Sequence, residues 1–291
     1  MTKKALIFIG LTYAISWIAF MIFKSFGIKL QSLPGVLFAV GYMFVPLISA
    51  VIIQKGIYKE PVKEPLGISF KLNKWFLFAW FIMPIIACAV LGVSLLLPGI
   101  TFSPDMSGFL DKMAKTITPE QLQKAKEQLN TIPISPFLIT LLMGLVYGAT
   151  INAVAGFGEE AGWRGFLHKE LIPMGFWKSS LFIGFIWGVW HFPLIMQGHN
   201  YPEHPTIGVF MMIVWCMLLA PIFTYTRIKT KSVIAAAVLH GTLNATAGLP
   251  MMMIRGGNDL NTGITGLPGF IVLAIVDIGI FIFDKNPAGT N

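Results

Sequence analysis

The sequence predicts an all-α fold, a polytopic helix bundle that crosses a membrane about eight times. Three observations carry this reading. Charged residues make up 12% of the chain and apolar residues 55%, whereas soluble domains carry roughly 25% charged residues. Mean hydropathy is +0.74. The apolar residues are also gathered into runs, and about 20 in a row suffice for a helix to cross hydrocarbon. The net charge of +8 does not point to nucleic acid, because the lysines sit in short connections between apolar runs, where they act as topology signals.

The first run, Ala5 to Phe23, follows Lys3 and Lys4. It exceeds a signal-peptide core of roughly 7–15 residues and no A-x-A site follows it, so it reads as a membrane helix. Further runs lie at 33–53, 75–97, 136–155, 179–197, 207–226, 232–253 and 267–284. Pro46, Pro84, Pro193 and Pro221 fall inside them, which a membrane bundle tolerates where neighbours satisfy the freed carbonyls. The termini and the connections after the second, fourth and sixth runs hold fourteen Lys and Arg. The other four connections hold seven, four of them in 98–135. The basic side should face the cytoplasm. Both termini are therefore expected there, in the cell membrane of a prokaryote or the endoplasmic reticulum of a eukaryote. Residues 1–291 read as one membrane-embedded domain, with the motif-bearing core at about 136–253.

The outer-side connection 98–135 carries one helix. Thr118, Pro119 and Gln121 form a capping-box start. Leu122, Ala125 and Leu129 share a face and Asn130 ends the helix, which is expected to pack on the membrane domain. Cys88 and Cys216 lie inside apolar runs without ligand-like spacing and read as small core residues.

The informative residues are polar groups inside these runs. Each costs about 2.5–3.5 kcal/mol on insertion scales and faces a partner or a cavity. The first cluster, Gly158 to Arg164, is placed where the fourth helix ends. Glu160 and Arg164 are i and i+4, acid before base, so they pair on one face. Glu159 lies about 100° away and is left free. The second cluster runs from Trp187 to Pro193. Trp187, one turn before His191, is positioned to buttress the imidazole. Pro193 lacks an N–H, which should leave the carbonyl four residues back free near the histidine. The third holds His240 and Asn244 on one helix face, about 6 Å apart, with Gly241 leaving room for backbone or substrate. Each cluster alone also fits a structural role: a charged interfacial cap, a packed histidine, an interhelical clamp. Together they place an acid, two histidines and an amide on three helices, expected to meet in the cytoplasmic half of the membrane. A carboxylate with a histidine activates water. A histidine with an asparagine steadies an oxyanion. The set suits hydrolysis of an amide bond.

These motifs resemble those of the CAAX protease and bacteriocin-processing superfamily, which includes the type II CAAX prenyl endopeptidases. The shared pattern reads here as Glu159-Glu160-Ala161-Gly162-Trp163-Arg164, then Trp187 four before His191, then His240 four before Asn244. The likeness covers 156–246, and the first 135 residues share only a hydropathy pattern. Trp187 stands where the eukaryotic-type motif has phenylalanine. The resemblance implies an intramembrane glutamate-dependent endopeptidase; because the site supplies its own base and oxyanion donors, no cofactor is expected. By it, Glu159 and His191 activate the water, His240 and Asn244 form the oxyanion hole, and Glu160 and Arg164 orient the site. The substrate would be a peptide or a prenylated protein's C-terminal CaaX segment in the lipid bilayer.

Three rivals stand beside this reading. Glu159, His191 and His240 could form a His₂Glu zinc site, although no H-E-x-x-H occurs. A transporter should show paired broken helices in repeated halves, which the sequence lacks. An immunity or scaffold protein need not retain every polar group, whereas this chain has them all. His168, His199 and His204 remain, the last two expected in a solvated loop, and Asp277 is a lone acid in the eighth run.

Overall fold

The computed structural model describes residues 1–70, 72–114, 117–131 and 134–287. Lys71 and Lys115, both among the connection charges, lie outside these residues. All eight apolar runs are helical. Helix α1 (Lys3–Ser25) starts on Thr2, whose hydroxyl accepts from the Ala5 amide. Helix α2 (Leu33–Met43) starts on Ser32 with Pro34 in its first turn. It breaks at Phe44, two residues before Pro46, and α3 (Val45–Val51) continues into a π-helical turn, Ile52–Ile57. After α4 (Trp75–Ser94) come strand β1 (Thr101–Phe102) and helices α5 (Ser107–Met113) and α6 (Pro119–Thr131). Helices α7 (Pro136–Ala149) and α8 (Ile151–Glu160) follow, and α8 passes through a π-helical segment, Ala161–Leu167, into α9 (His168–Leu171). The remainder is α10 (Phe176–Trp190), α11 (Phe192–Ile195), α12 (Pro205–Thr230), α13 (Val233–Thr246), α14 (Leu249–Met252), strand β2 (Ile254–Arg255) and α15 (Leu267–Phe283).

The result is an all-α polytopic membrane bundle. Among the described residues, five helical stretches are long and apolar enough to cross a bilayer, and six if the pair 136–149 and 151–174 is one span bent by 51°. Helices α10 and α15 reach only 15 and 17 residues. The bend falls at Thr150, whose hydroxyl bonds back to the Val146 carbonyl, a contact that competes with the helix ladder. Large apolar side chains such as Ile18, Leu77, Val146, Phe210 and Phe281 point outward, as hydrocarbon allows.

Side-chain bonds gather the connections into two faces. On one, which we call the basic face, Lys4 meets Glu60 at 2.6 Å and Thr2 bonds to Glu170 at 2.7 Å. There Asn73 reaches the Lys229 and Thr230 carbonyls, and Lys229 meets Asp284 at 2.5 Å. The lysines hold the Glu60 and Asp284 carboxyls below the usual carboxylate range. On the opposite face, β1 and β2 pair antiparallel through Thr101 and Arg255. Arg255 meets Asp111 at 3.1 Å, Tyr201 donates to the Thr265 carbonyl, and His204 meets Asp259 at 2.6 Å.

Several expectations are met and others corrected. Thr118 and Gln121 bond reciprocally, amide to side chain, and Leu122, Ala125 and Leu129 form the half-buried face of α6. That helix runs to Thr131, one residue past Asn130, and rests against α5, which the sequence reading omitted. Cys216 is buried, but Cys88 is exposed on the apolar exterior. The Gly158–Arg164 cluster does not end a helix: helical backbone continues to Leu171 because the π-helical segment carries it on. Arg164 is fully buried, so it is not a connection charge.

Candidate active site

Two close helix approaches build the site. Helix α8 packs on α13 through glycines. A Cβ on Gly156 would lie 2.9 Å from the His240 Cβ, and one on Gly241 would run into the Gly148 carbonyl. The room at Gly241 is thus filled by backbone. This packing sets Glu160 beside His240, 80 residues away in sequence: His240 Nδ1 lies 2.8 Å from Glu160 Oε1. The same oxygen accepts from Arg164 Nη1 at 3.1 Å, the expected i, i+4 pair, with both side chains fully buried. The Arg164 guanidinium also stacks 4.6 Å from the ring centroids of Trp187 and Phe223.

The second approach sets Trp187 beside Glu159. The indole N–H donates to Glu159 Oε2 at 2.7 Å, so Glu159 is not partnerless as its spacing suggested. Its other oxygen, Oε1, lies 3.9 Å from His240 Nε2. Trp187 therefore holds the acid as well as leaning on the His191 ring, whose centroid is 5.9 Å away.

Helix α10 stops at Trp190 because Pro193 cannot continue its ladder. The His191 amide then bonds to the Gly188 and Val189 carbonyls. The Val189 carbonyl is accordingly engaged, contrary to expectation. The freed carbonyl is that of Trp187, and His191 Nδ1 takes it at 2.8 Å. A carbonyl only accepts, so Nδ1 carries the proton and Nε2 keeps a lone pair. Tyr42 and Trp17 donate to the Trp190 carbonyl, fixing the helix end.

Glu159, Trp187, His191, His240 and Asn244 line one cavity of about 430 Å³. Its walls come from α2, α8, α10, α11, α12 and α13. Glu159, His191 and His240 are 2%, 7% and 3% exposed, whereas Asn244 is open to the cavity. Glu160 and Arg164 stand behind this lining. His199 and Asn200 also line the cavity, a role that no local sequence pattern marked. His204 is bonded to Asp259 rather than simply solvated. Asp277, on α15, is outside the cavity lining. His191 lies about 22 Å along α10 from Phe176, and His240 about 10 Å along α13 from Val233. The site therefore straddles the middle of a roughly 30 Å hydrocarbon core and is not confined to one half.

Residues 141–246 match the family model of Rce1-like type II CAAX prenyl endopeptidases. The chain resembles this family. The matched segment runs from α7 to the end of α13 and holds every cavity residue named in the motifs. A relative from Methanococcus maripaludis, "CAAX prenyl protease 2", is 25% identical over 195 residues, covering 54% of this chain and 67% of the relative.

Proposed function

We propose that the chain is an intramembrane endopeptidase in which Glu159 and His191 activate a water that attacks a peptide carbonyl. The observation carrying this reading is the convergence of Glu159, His191, His240 and Asn244 on one cavity, on the segment that matches a peptidase family. Trp187 occupies one Glu159 oxygen and leaves the other to take the water's proton. The resulting hydroxide adds to the carbonyl carbon, Nε2 of His191 accepts a hydrogen bond from the water and orients it, and Glu159 returns the proton it took to the leaving nitrogen. His240 and Asn244 donate to the oxyanion. Glu160 receives the proton-bearing Nδ1 of His240, so donation from Nε2 requires a second proton. His240 thus acts as an imidazolium between two carboxylates. When the carbonyl re-forms, the C–N bond breaks and the amine leaves protonated.

The substrate is a peptide segment apolar enough to enter the bundle, with a prenylated C-terminal CaaX segment as the first to try. The test is purified protein with a farnesylated CaaX peptide and with unprenylated apolar peptides, read by mass spectrometry. Cleavage is expected and should vanish in Glu159→Gln. Near-normal turnover by folded Glu159→Gln would remove Glu159 as the base. Activity lost to a chelator and restored by zinc would replace the mechanism with the metal one.

A further inference from the structure

One charged cluster lies outside the cavity lining, at the basic face. Arg227 on α12 and His168 on α9 each come three residues before the end of their helix, about 4.5 Å along the axis. The segment Leu66-Gly67 brings them together. A Cβ on Gly165, one turn before His168, would lie 3.1 Å from the Leu66 carbonyl oxygen, and one on Gly67 would run into the Arg227 guanidinium. The guanidinium therefore rests directly on the Gly67 backbone. Gly67 has φ +69°, and its carbonyl accepts from the Val233 amide at 2.9 Å, which fixes the turn against the start of α13.

These two groups lack a counter-charge. Among the described residues, Arg227 Nε and His168 Nδ1 are buried with no hydrogen-bond partner, while each residue keeps part of its surface accessible. The charges that act on His168 are those of Arg227 and Arg164, both positive. The acids of this face are engaged elsewhere: Glu60 holds Lys4, Glu170 meets Thr2 and Lys169, and Asp284 meets Lys229. Glu64 is exposed in the turn before Gly67. Charged groups this deep in a membrane protein normally pair with an opposite charge, so the cluster calls for an anion.

We propose that Arg227 and His168 bind the phosphate of an anionic phospholipid in the leaflet at the basic face, tying α9 to α12. The planar guanidinium presents paired N–H donors that match two phosphate oxygens, and the imidazole adds a further donor. Depth favours a lipid. Tyr225, two residues before Arg227, meets Trp75 with ring centroids 5.5 Å apart, and such aromatics sit at headgroup level. Basic pockets between membrane helices take lipid headgroups. Lys63 in the Gly67 turn and Lys231 just past α12 are exposed, and both would repel the amine of a zwitterionic headgroup. Neither Arg227 nor His168 lines the cavity, so this anion is separate from the peptide.

The experiment titrates the purified protein in detergent with phosphatidylglycerol or phosphatidylcholine and reads lipid retention by native mass spectrometry, with Tm alongside. The protein should retain phosphatidylglycerol in preference and gain Tm with it. Arg227→Gln should weaken that retention about tenfold or more, the usual loss of one charge-assisted contact, and Arg227→Lys should recover part of it. If Arg227→Gln does not fold, His168→Phe decides by the same loss. Lys3→Gln, an exposed charge on the same face, should change nothing; an equal loss there would mean diffuse attraction and overturn the proposal. Equal retention of both lipids would overturn it too. Inorganic phosphate raising Tm as far as the lipid does, with no further gain from lipid, would assign the cluster to a free anion and overturn the lipid reading. If Glu64→Gln lost as much Tm as Arg227→Gln, Glu64 would be the counter-ion and the proposal would fall.

Discussion

At the scale of single residues, the site is an arrangement of shared hydrogen bonds. One Glu160 oxygen serves both Arg164 and His240, so Glu160 is a positioning residue for a group 80 residues away. Glu160→Ala should act twice. It strands a buried guanidinium, which typically costs about 3–5 kcal/mol, and it releases His240 Nδ1. The expected outcome is less folded protein in detergent and also a lower kcat per mole of folded protein. Normal kcat in the folded fraction would reduce Glu160 to a structural role. Asn244 makes a sharper case. Its amide is open to the cavity and, among the described residues, bonds to no other side chain. Asn244→Ala should lower kcat by about 10²–10³, the usual loss of one oxyanion donor, with little change in KM. Asn244→Asp should be worse, because it presents a negative charge to the developing oxyanion. Equal, unchanged kcat in both folded variants would take Asn244 out of the reaction. The local pair Glu160–Arg164 was readable in the sequence, since helical spacing alone puts i and i+4 on one face. The bonds from Trp187 to Glu159 and from Glu160 to His240 were not, because they depend on how separate helices meet.

At the scale of elements, glycine packing and helix ends place those residues. Gly156 is where α8 comes closest to the His240 Cβ. Gly156→Ala should therefore push α13 away, costing about 1–3 kcal/mol by overpacking and loosening the His240–Glu160 contact, so that kcat falls in folded protein. Gly10→Ala in α1 is the control: nothing lies within 4 Å of a Cβ there, and alanine favours a helix by about 1 kcal/mol. If both variants behaved alike, the α8–α13 approach would not position the histidine. A pH prediction belongs to the turn before α5. The Ser107 hydroxyl and amide, with the Ser103 hydroxyl, hold the Asp105 carboxyl down at about 2. Its stabilising effect is fully present above the ordinary carboxylate range near 4 and is lost as pH falls through about 2. Hydrogen exchange at Ser107, corrected for intrinsic rate, should hold steady down to about pH 4 and quicken below it. In Asp105→Asn the amide should exchange faster above about pH 4, and equal protection in both forms there would deny the turn this role. The proline at 193 was legible as a helix breaker. Which carbonyl it would free was not, because the answer depended on where the His191 amide turned once α10 stopped.

At the scale of the whole molecule, hydropathy located the eight apolar helical runs but not how far each helix reaches. Composition reports that a run prefers hydrocarbon, whereas length is cut by packing and by breaks such as Thr150 and His191. Helix α15 poses the question most directly. Its 17 residues rise about 26 Å, against roughly 30 Å of hydrocarbon. A span that is short by this much is accommodated through local thinning or through flanking charged side chains reaching the interface, at fractions of a kcal/mol per Å. The contacts around its C-terminal end place that end at the basic face. Asp284, directly after α15, meets Lys229 at the end of α12, and Asn73 ties that same end to the connection before α4. Lys4 near the N-terminus is held by Glu60 in that connection. The two termini are thus joined through one set of surface bonds and should lie on one side of the membrane. Fusing a reporter that fluoresces only in the cytoplasm to either terminus should give signals of the same kind, whichever side that is. Fluorescence from one fusion and silence from the other, with both proteins present at equal amounts in the membrane, would mean that α15 or one of its partners turns back inside the bilayer.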